Sequence, residues 1–220
     1  MKNKILTALL YVSAALLIIS GSIALPIYVR PFYYIQIEPL GIPAVTSYDK
    51  QTVMDAYNEV LDYLTLPNRE FGTGVFPHTA EGVAHFADCK SLFDLNAAVL
   101  LASLSAVVVL ALLRRRGRFS LYCPRGRHPA TLCGGGILLT FAAVGGLAAL
   151  NFDRAFAVFH AVFFPGKDNW LFNVRTDAII LALPQEFFRN CAVLILSSVV
   201  LWSLALLAFG LYRQTCNREV

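Results

Sequence analysis

The sequence predicts an all-α membrane protein with four transmembrane helices and a small extracytoplasmic cap built from the two outer connections. Three observations predict it. Hydrophobic residues make up 57% of the chain and charged residues only 15%, too apolar a balance for a soluble domain of this length. A hydrocarbon core of about 30 Å takes about 20 apolar residues per helix, and residues 5–27, 95–113, 132–150 and 190–212 each supply such a run. Finally, Lys and Arg are distributed unequally between the connections, which gives the runs a direction.

Helix is the expected state of all four runs, because backbone polar groups in hydrocarbon must pair within their own segment. Residues 1–220 read as one membrane domain. The first run follows Lys2 and Lys4, and Ser22-Ile23-Ala24 loosely resembles a cleavage site. Its length exceeds the 7–15 residues of a usual signal core, so the reading is a retained helix. The connection 114–131 holds Arg114, Arg115, Arg116, Arg118, Arg125 and Arg127 and no acid, and the C-terminus adds Arg213 and Arg218. The long connection 28–94 instead carries Glu38, Asp49, Asp55, Glu59, Asp62, Glu70, Glu81 and Asp88 against only Arg30, Lys50, Arg69 and Lys90 up to residue 93. Lys and Arg favour the cytoplasmic side, so both termini and the Arg loop are expected there, with the chain in an inner membrane. Topology anchoring accounts for the arginines more simply than a nucleic-acid or lipid-headgroup site, and no nucleic-acid partner is expected.

The two outer connections, 28–94 and 151–189, exceed the 2–8 residues usual between helices. They hold three of the four histidines and seven of the ten prolines. In the first, Tyr33-Tyr34-Ile35-Gln36-Ile37 reads either as a short strand or as a segment lying on the membrane. A helix is expected over residues 48–64, capped by Thr46 or Ser47. Its apolar stripe is Val53, Tyr57, Val60, Leu61 and Leu64, and Pro67 ends it. Residues 72–77 read as irregular loop. From Thr79, a natural cap, a further helix runs on into the second span with Phe86, Cys89 and Phe93 along one edge. His85 and Asp88, three residues apart, share a face of it.

In the second connection, Phe152, Phe156, Phe159 and Phe163 form an aromatic stripe at helical spacing, with His160 beside it. Pro165-Gly166 turns the chain, Trp170 and Phe172 suit a membrane–water boundary, and Thr176-Asp177 resembles a helix start limited by Pro184. Gly134-Gly135-Gly136 and Gly145-Gly146 read as close helix packing in the third span.

His85 and His160 are the candidate catalytic pair, since imidazole titrates near neutrality and suits acid–base work. A solvated loop histidine is the plainer account of either one alone. His78, Glu81, His85 and Asp88 fall at i, i+3, i+7 and i+10, a spacing a metal site can use, but Gly82 and the absence of a His-x-x-x-His pair argue against it. No metal and no cofactor are expected. The sequence has no Gly-x-Ser-x-Gly elbow, P-loop or dinucleotide fingerprint. Its five cysteines form no CxxC pair, and Cys89 and Cys191 read as buried free thiols rather than a bridge.

Several phrases together resemble the lipoprotein intramolecular transacylase family of bacterial membrane proteins. They are Ser47-Tyr48-Asp49-Lys50, Gly82-Val83-Ala84-His85-Phe86-Ala87-Asp88-Cys89-Lys90-Ser91-Leu92-Phe93, Phe159-His160-Ala161-Val162-Phe163-Phe164 and Asp168-Asn169-Trp170. Asp177-Ala178-Ile179-Ile180 and Leu183-Pro184-Gln185-Glu186-Phe187-Phe188 continue the series. The chain departs from the family at Asn173-Val174-Arg175, where members usually carry a proline. The resemblance implies movement of an acyl chain from the glyceryl ester of a diacylated lipoprotein to the α-amino group of its N-terminal cysteine, leaving the lyso form. The substrate's amine is then the nucleophile, so no serine or cysteine nucleophile is required. On that reading His85 removes the amine proton and can return one to the leaving oxygen, and His160 assists as a second acid/base or as a donor to the oxyanion. Asp88 or Asp177 orients an imidazole, Lys90 or Arg175 steadies negative charge, and Phe156, Phe159, Phe163 and Trp170 line the acyl slot. The partners implied are the diacylated lipoprotein and membrane lipids, with the protein a monomer. A lipid or lipoprotein ester hydrolase and a non-enzymatic lipoprotein-binding protein are the rival readings.

Overall fold

In the computed structural model, which describes residues 1–216, the chain folds into two compact units. The helices are α1 (Lys2–Tyr28), α2 (Pro31–Tyr34), α3 (Ile42–Thr46), α4 (Lys50–Thr65), α5 (Ala80–Arg115), α6 (Pro129–Leu150), α7 (Phe152–Phe163), α8 (Ile179–Ala182) and α9 (Gln185–Cys216), with a 3-10 turn at Pro124–Gly126. No strand is present among the described residues. Arg218 lies outside the described residues.

The first unit comprises Met1–Ile23, Asn96–Ala149 and the chain from Leu194 onward. It contains the apolar lengths of α1, α5, α6 and α9, the four helices long and apolar enough to cross a membrane. Only 11% of the most apolar window of α5, α6 and α9 is buried within the protein. Such faces are stable only against lipid. Polar and small residues join the helices, as expected where lipid removes the hydrophobic drive to associate. Ser22 Oγ donates to Ser198 Oγ at 3.0 Å, Asn96 Nδ2 to the Ser20 carbonyl at 3.2 Å and the Cys133 thiol to the Tyr11 carbonyl at 3.3 Å. Two of the five third-span glycines are packing positions. A Cβ on Gly134 would sit 2.7 Å from both Leu207 N and Ser203 O of α9, and one on Gly145 would sit 3.2 Å from Leu196 Cδ1. Gly135, Gly136 and Gly146 would meet nothing within 4 Å.

The second unit comprises Ala24–Leu95 and Leu150–Val193. Its core joins α2, α3, α4, the first turns of α5 and α9, and α8 through Tyr33, Ile37, Ile42, Val53, Tyr57, Val60, Leu61, Leu64, Phe86, Ile179 and Phe187. The stripe expected on α4 is therefore the face it buries. The cap of α4 is Asp49, not Thr46 or Ser47: its carboxylate accepts from Thr52 N at 2.8 Å. Thr46 instead ends α3 by bonding to the Ile42 carbonyl, and Ser47 takes a left-handed backbone, φ 62°.

The optional strand at residues 33–37 does not form. An isolated strand leaves its backbone groups unpaired, whereas Pro31 starts a helical turn in which Tyr34 N and Ile35 N bond to the Arg30 and Pro31 carbonyls. That turn delivers Tyr33 onto Tyr57, with rings stacked at 3.8 Å, and its hydroxyl donates to the Ala182 carbonyl at 2.6 Å. Arg30 pairs with Asp62 and donates to Asn58 Oδ1, tying the end of α1 to α4. Residues 72–77 form the expected irregular loop, held where Glu59 Oε2 accepts from Gly74 N at 2.8 Å.

A candidate acyl-transfer site

The first fifteen residues of α5, before its apolar run, belong to the second unit and carry Glu81, His85, Asp88, Lys90 and Asp94. Thr79 caps this helix through Oγ1, accepting from Gly82 N at 3.1 Å. Asp177 completes the cap. Its Oδ1 accepts from Thr79 N at 2.8 Å and from Thr79 Oγ1 at 2.9 Å, and Thr176 Oγ1 donates to Oδ2 at 3.0 Å. Asp177 is 5% exposed, so a carboxylate buried at a helix N-terminus favours both the orphan N–H and the dipole. Asp177 therefore fixes the helix that carries His85 rather than touching an imidazole, and α8 begins two residues later. Gly82 makes this fit, since a Cβ there would lie 2.4 Å from Asp177 Oδ1.

One turn further along, His85 meets His160 of α7. The ring centroids are 5.8 Å apart and the planes 28° from parallel, and both side chains are 6% exposed. Asn151 caps α7 by accepting from Arg154 N at 2.9 Å, which sets the register of His160. His160 Nδ1 lies 2.8 Å from the Phe156 carbonyl one turn back. A carbonyl only accepts, so Nδ1 carries the proton and Nε2 keeps a lone pair. Trp170 stacks on this ring at 4.3 Å, and Phe156 lies at 4.4 Å. Phe164 and Phe172 close on His85 edge-on at 5.1 and 5.4 Å. Of the expected acyl-lining set, Phe156 and Trp170 reach the imidazoles. Phe159 touches His160 edge-on at 5.5 Å yet is 46% exposed, and Phe163 is 50% exposed, so α7 also presents an apolar outer face.

Burial governs the electrostatics. It pushes His85 down to about 4, with the His160 charge lowering it further and Asp88 opposing. Burial also lowers His160, partly offset by its bond to the Phe156 carbonyl. Both rings are accordingly neutral at pH 7. Asp88 points to Lys167, whose Nζ donates at 2.5 Å and holds the carboxyl below its ordinary range, and to Asn169 Nδ2 at 3.3 Å. Lys90 is placed elsewhere: its ammonium donates to the Tyr63 and Leu66 carbonyls at 2.9 and 3.2 Å and closes the C-terminus of α4. Arg175 is exposed, and its guanidinium makes no hydrogen bond or ion pair among the described residues. His78 bonds Thr73 Oγ1 at 2.8 Å in the preceding loop. Cys89 and Cys191 are free thiols. Sequence reasoning missed Lys167, Phe164, Phe172 and the side-chain role of Asn169, all on the connection after α7 or at its edge.

A family model described as lipoprotein intramolecular transacylase Lit matches residues 8–188. The chain belongs to that family. Among solved structures it resembles the in meso structure of the membrane-integral lipoprotein intramolecular transacylase Lit from Bacillus cereus, at 23% identity and a TM-score of 0.84, over 98% of this chain and 96% of that one. It also resembles the same Bacillus cereus protein bearing an H85R mutation (22% identity, TM-score 0.78, 98% and 93% covered) and an H85A mutation (24%, 0.77, 98% and 95%). At these identities the likeness establishes the shared fold. No curated protein matched the chain.

Proposed function

We propose that His85 and His160 carry out the acyl transfer of this family, in which an acyl chain leaves the glyceryl ester of a diacylated lipoprotein and joins the α-amino group of its N-terminal cysteine. The observation that carries this reading is two buried, neutral imidazoles with ring centroids 5.8 Å apart. The reaction needs two proton transfers. One imidazole takes a proton from the α-ammonium, whose pKa is near 8, and the freed amine attacks the ester carbonyl. The C–N bond forms and the C–O bond to glycerol breaks. The second amine proton passes through an imidazole to the departing oxygen, and one proton goes to water. His160, less depressed and with its Nε2 lone pair defined, is the base in this scheme, and His85, whose imidazolium is the stronger acid, protonates the leaving oxygen. The sequence left open which histidine is base and which is acid, and this scheme divides the two steps between them. Tethering amine and ester in one molecule supplies several kcal/mol of the barrier, within the roughly 7–11 kcal/mol available to ideal geometry.

Phe156 and Trp170 support an apolar wall for the acyl chains, and the outer face of α7 supports contact with lipid. The basic residues of the 114–131 loop support a site on the extracytoplasmic side of the membrane, with both termini cytoplasmic.

The mass of a lipoprotein's N-terminal peptide, from bacteria with and without this protein, tests the activity. The expected product is N-acyl, S-monoacylglyceryl peptide. Free fatty acid with an unacylated amine would instead identify a hydrolase, and tight binding without any product would identify a lipoprotein-binding protein. A thioester route is separable. Burial pushes the Cys89 thiol up to about 12, so it stays protonated and a poor nucleophile. Cys89→Ala is expected to keep conversion within about threefold of the parent, and a loss beyond a hundredfold would point to acyl-cysteine.

A further inference from the structure

We infer that Asn169 is a positioning residue for His85, fixing which of its nitrogens handles protons. This rests on the reading that His85 takes part in proton transfer. The argument begins at Lys167, whose ammonium lies 2.5 Å from Asp88 Oδ1. An ionised carboxylate only accepts hydrogen bonds, so the group of Asn169 facing Asp88 Oδ2 at 3.3 Å is its NH₂. That settles the amide's orientation and turns Oδ1 away from Asp88.

Oδ1 of Asn169 is buried and has no hydrogen-bond partner among the described residues, and the same is true of His85 Nδ1. Buried polar atoms are rarely left so. Asn169 bonds Asp88, one turn along α5 from His85, and its neighbour Trp170 stacks on His160, which itself faces His85, so these two atoms are the pair assigned to each other, although no hydrogen bond closes between them in this state. A carbonyl oxygen cannot donate, so an imidazole nitrogen paired with it must carry the proton. His85 is then the Nδ1–H tautomer, and Nε2 is the nitrogen that exchanges protons. Its hydrogen-bond partner among the described residues is the Cys89 Sγ at 3.5 Å, and a thiol is a weak donor that a substrate group displaces readily.

The arrangement explains why an amide, and not a carboxylate, stands beside the ring. A carboxylate in contact with the imidazole would raise its pKa. Here the charge of Asp88 is one group removed and already paired with Lys167. The next residue, Trp170, stacks on His160, so the Asn169-Trp170 dipeptide sets the posture of both rings.

The test is two-bond ¹H–¹⁵N correlation NMR on the full chain, ¹⁵N-labelled at histidine and held in detergent micelles, with His85→Ala assigning the signals. The expected result is the Nδ1–H tautomer for His85. Asn169→Leu is expected to shift it toward Nε2–H and to lower kcat at least ~10-fold, below the ~10⁴-fold that a wrong tautomer costs a catalytic triad, with KM nearly unchanged. Asn169→Asp, which retains an acceptor, is expected to retain Nδ1–H. An Nε2–H tautomer in the unaltered protein overturns the inference, as does a fall in kcat with the tautomer unchanged in Asn169→Leu. Should that variant fail to fold, the tautomer of the unaltered protein decides alone. This readout needs no substrate, so it is independent of whether the acyl transfer itself is demonstrated.

Discussion

His85→Ala and His160→Ala are each expected to lower conversion of a co-expressed lipoprotein to its lyso form by about 10²–10⁴-fold, the usual contribution of a positioned acid or base. The two rings act on successive protons of one amine, so their losses are not additive. The double variant is expected to fall little below the worse single one. Comparable protein levels in the membrane separate this outcome from misfolding, and full conversion by both variants would remove the imidazoles from the mechanism. The pH dependence follows from the depressed values. A group buried in its neutral form, with His85 near 4 and His160 below its ordinary 6.5, loses that form only as pH falls through its folded-state pKa. The rate for bound substrate is therefore expected to stay level as pH falls to 6.5 and to decline at lower pH. A half-maximal rate at 6.5 or above would contradict the burial argument.

Gly210→Val is expected to produce the largest loss of stability among single substitutions in the first unit. A Cβ at Gly210 would lie 2.4 Å from Thr131 N, 2.5 Å from Thr131 Oγ1 and 2.9 Å from Ala130 C at the start of α6. Two of these three atoms are backbone and cannot swing aside, so α6 and α9 must separate. Overpacking of this kind costs typically 1–3 kcal/mol and sometimes more, about 5 °C or more in Tm for a chain of this size. Gly136→Ala is the control. It adds a Cβ where nothing lies within 4 Å, and Ala is the better helix former, so no decrease is expected. Thermal unfolding in detergent, followed by intrinsic fluorescence, reads both. Equal melting of Gly210→Val and the parent would show that the close approach does not govern stability.

The membrane helices were legible because hydrocarbon leaves the chain a single choice: charge-free runs about 20 residues long must be helical. The stripe on α4 was legible for the related reason that Val53, Tyr57, Val60, Leu61 and Leu64 repeat at helical spacing and are buried. For residues 33–37 the sequence left a strand and a segment lying on the membrane both open; the strand does not form, because alternation signals one only when a partner exists to pair with, and local hydrogen bonds plus the Tyr57 ring hold Tyr33 instead. At the site, the two histidines stood out by chemistry, and their helices were periodic enough to place. Asp177 and Lys90 could not be assigned from the sequence. Each spends its charge on a helix terminus that long-range folding brings to it, Asp177 on Thr79 and Lys90 on the carbonyls of Tyr63 and Leu66. Asn169 was hidden for the same reason, lying 81 residues from the Asp88 that orients it.

The aromatic enclosure formed by Phe156, Phe164, Trp170 and Phe172 bears on the incoming cation as well as on the rings it surrounds. A pocket poor in water makes any positive charge costly, whether it rests on imidazole or on an amine. An ammonium drawn into that enclosure becomes a stronger acid at the same place where its acceptor becomes a weaker base. The two shifts run in parallel, so burying both partners does not by itself widen the uphill gap between them, while the nucleophile is stripped of the solvent that would otherwise blunt it.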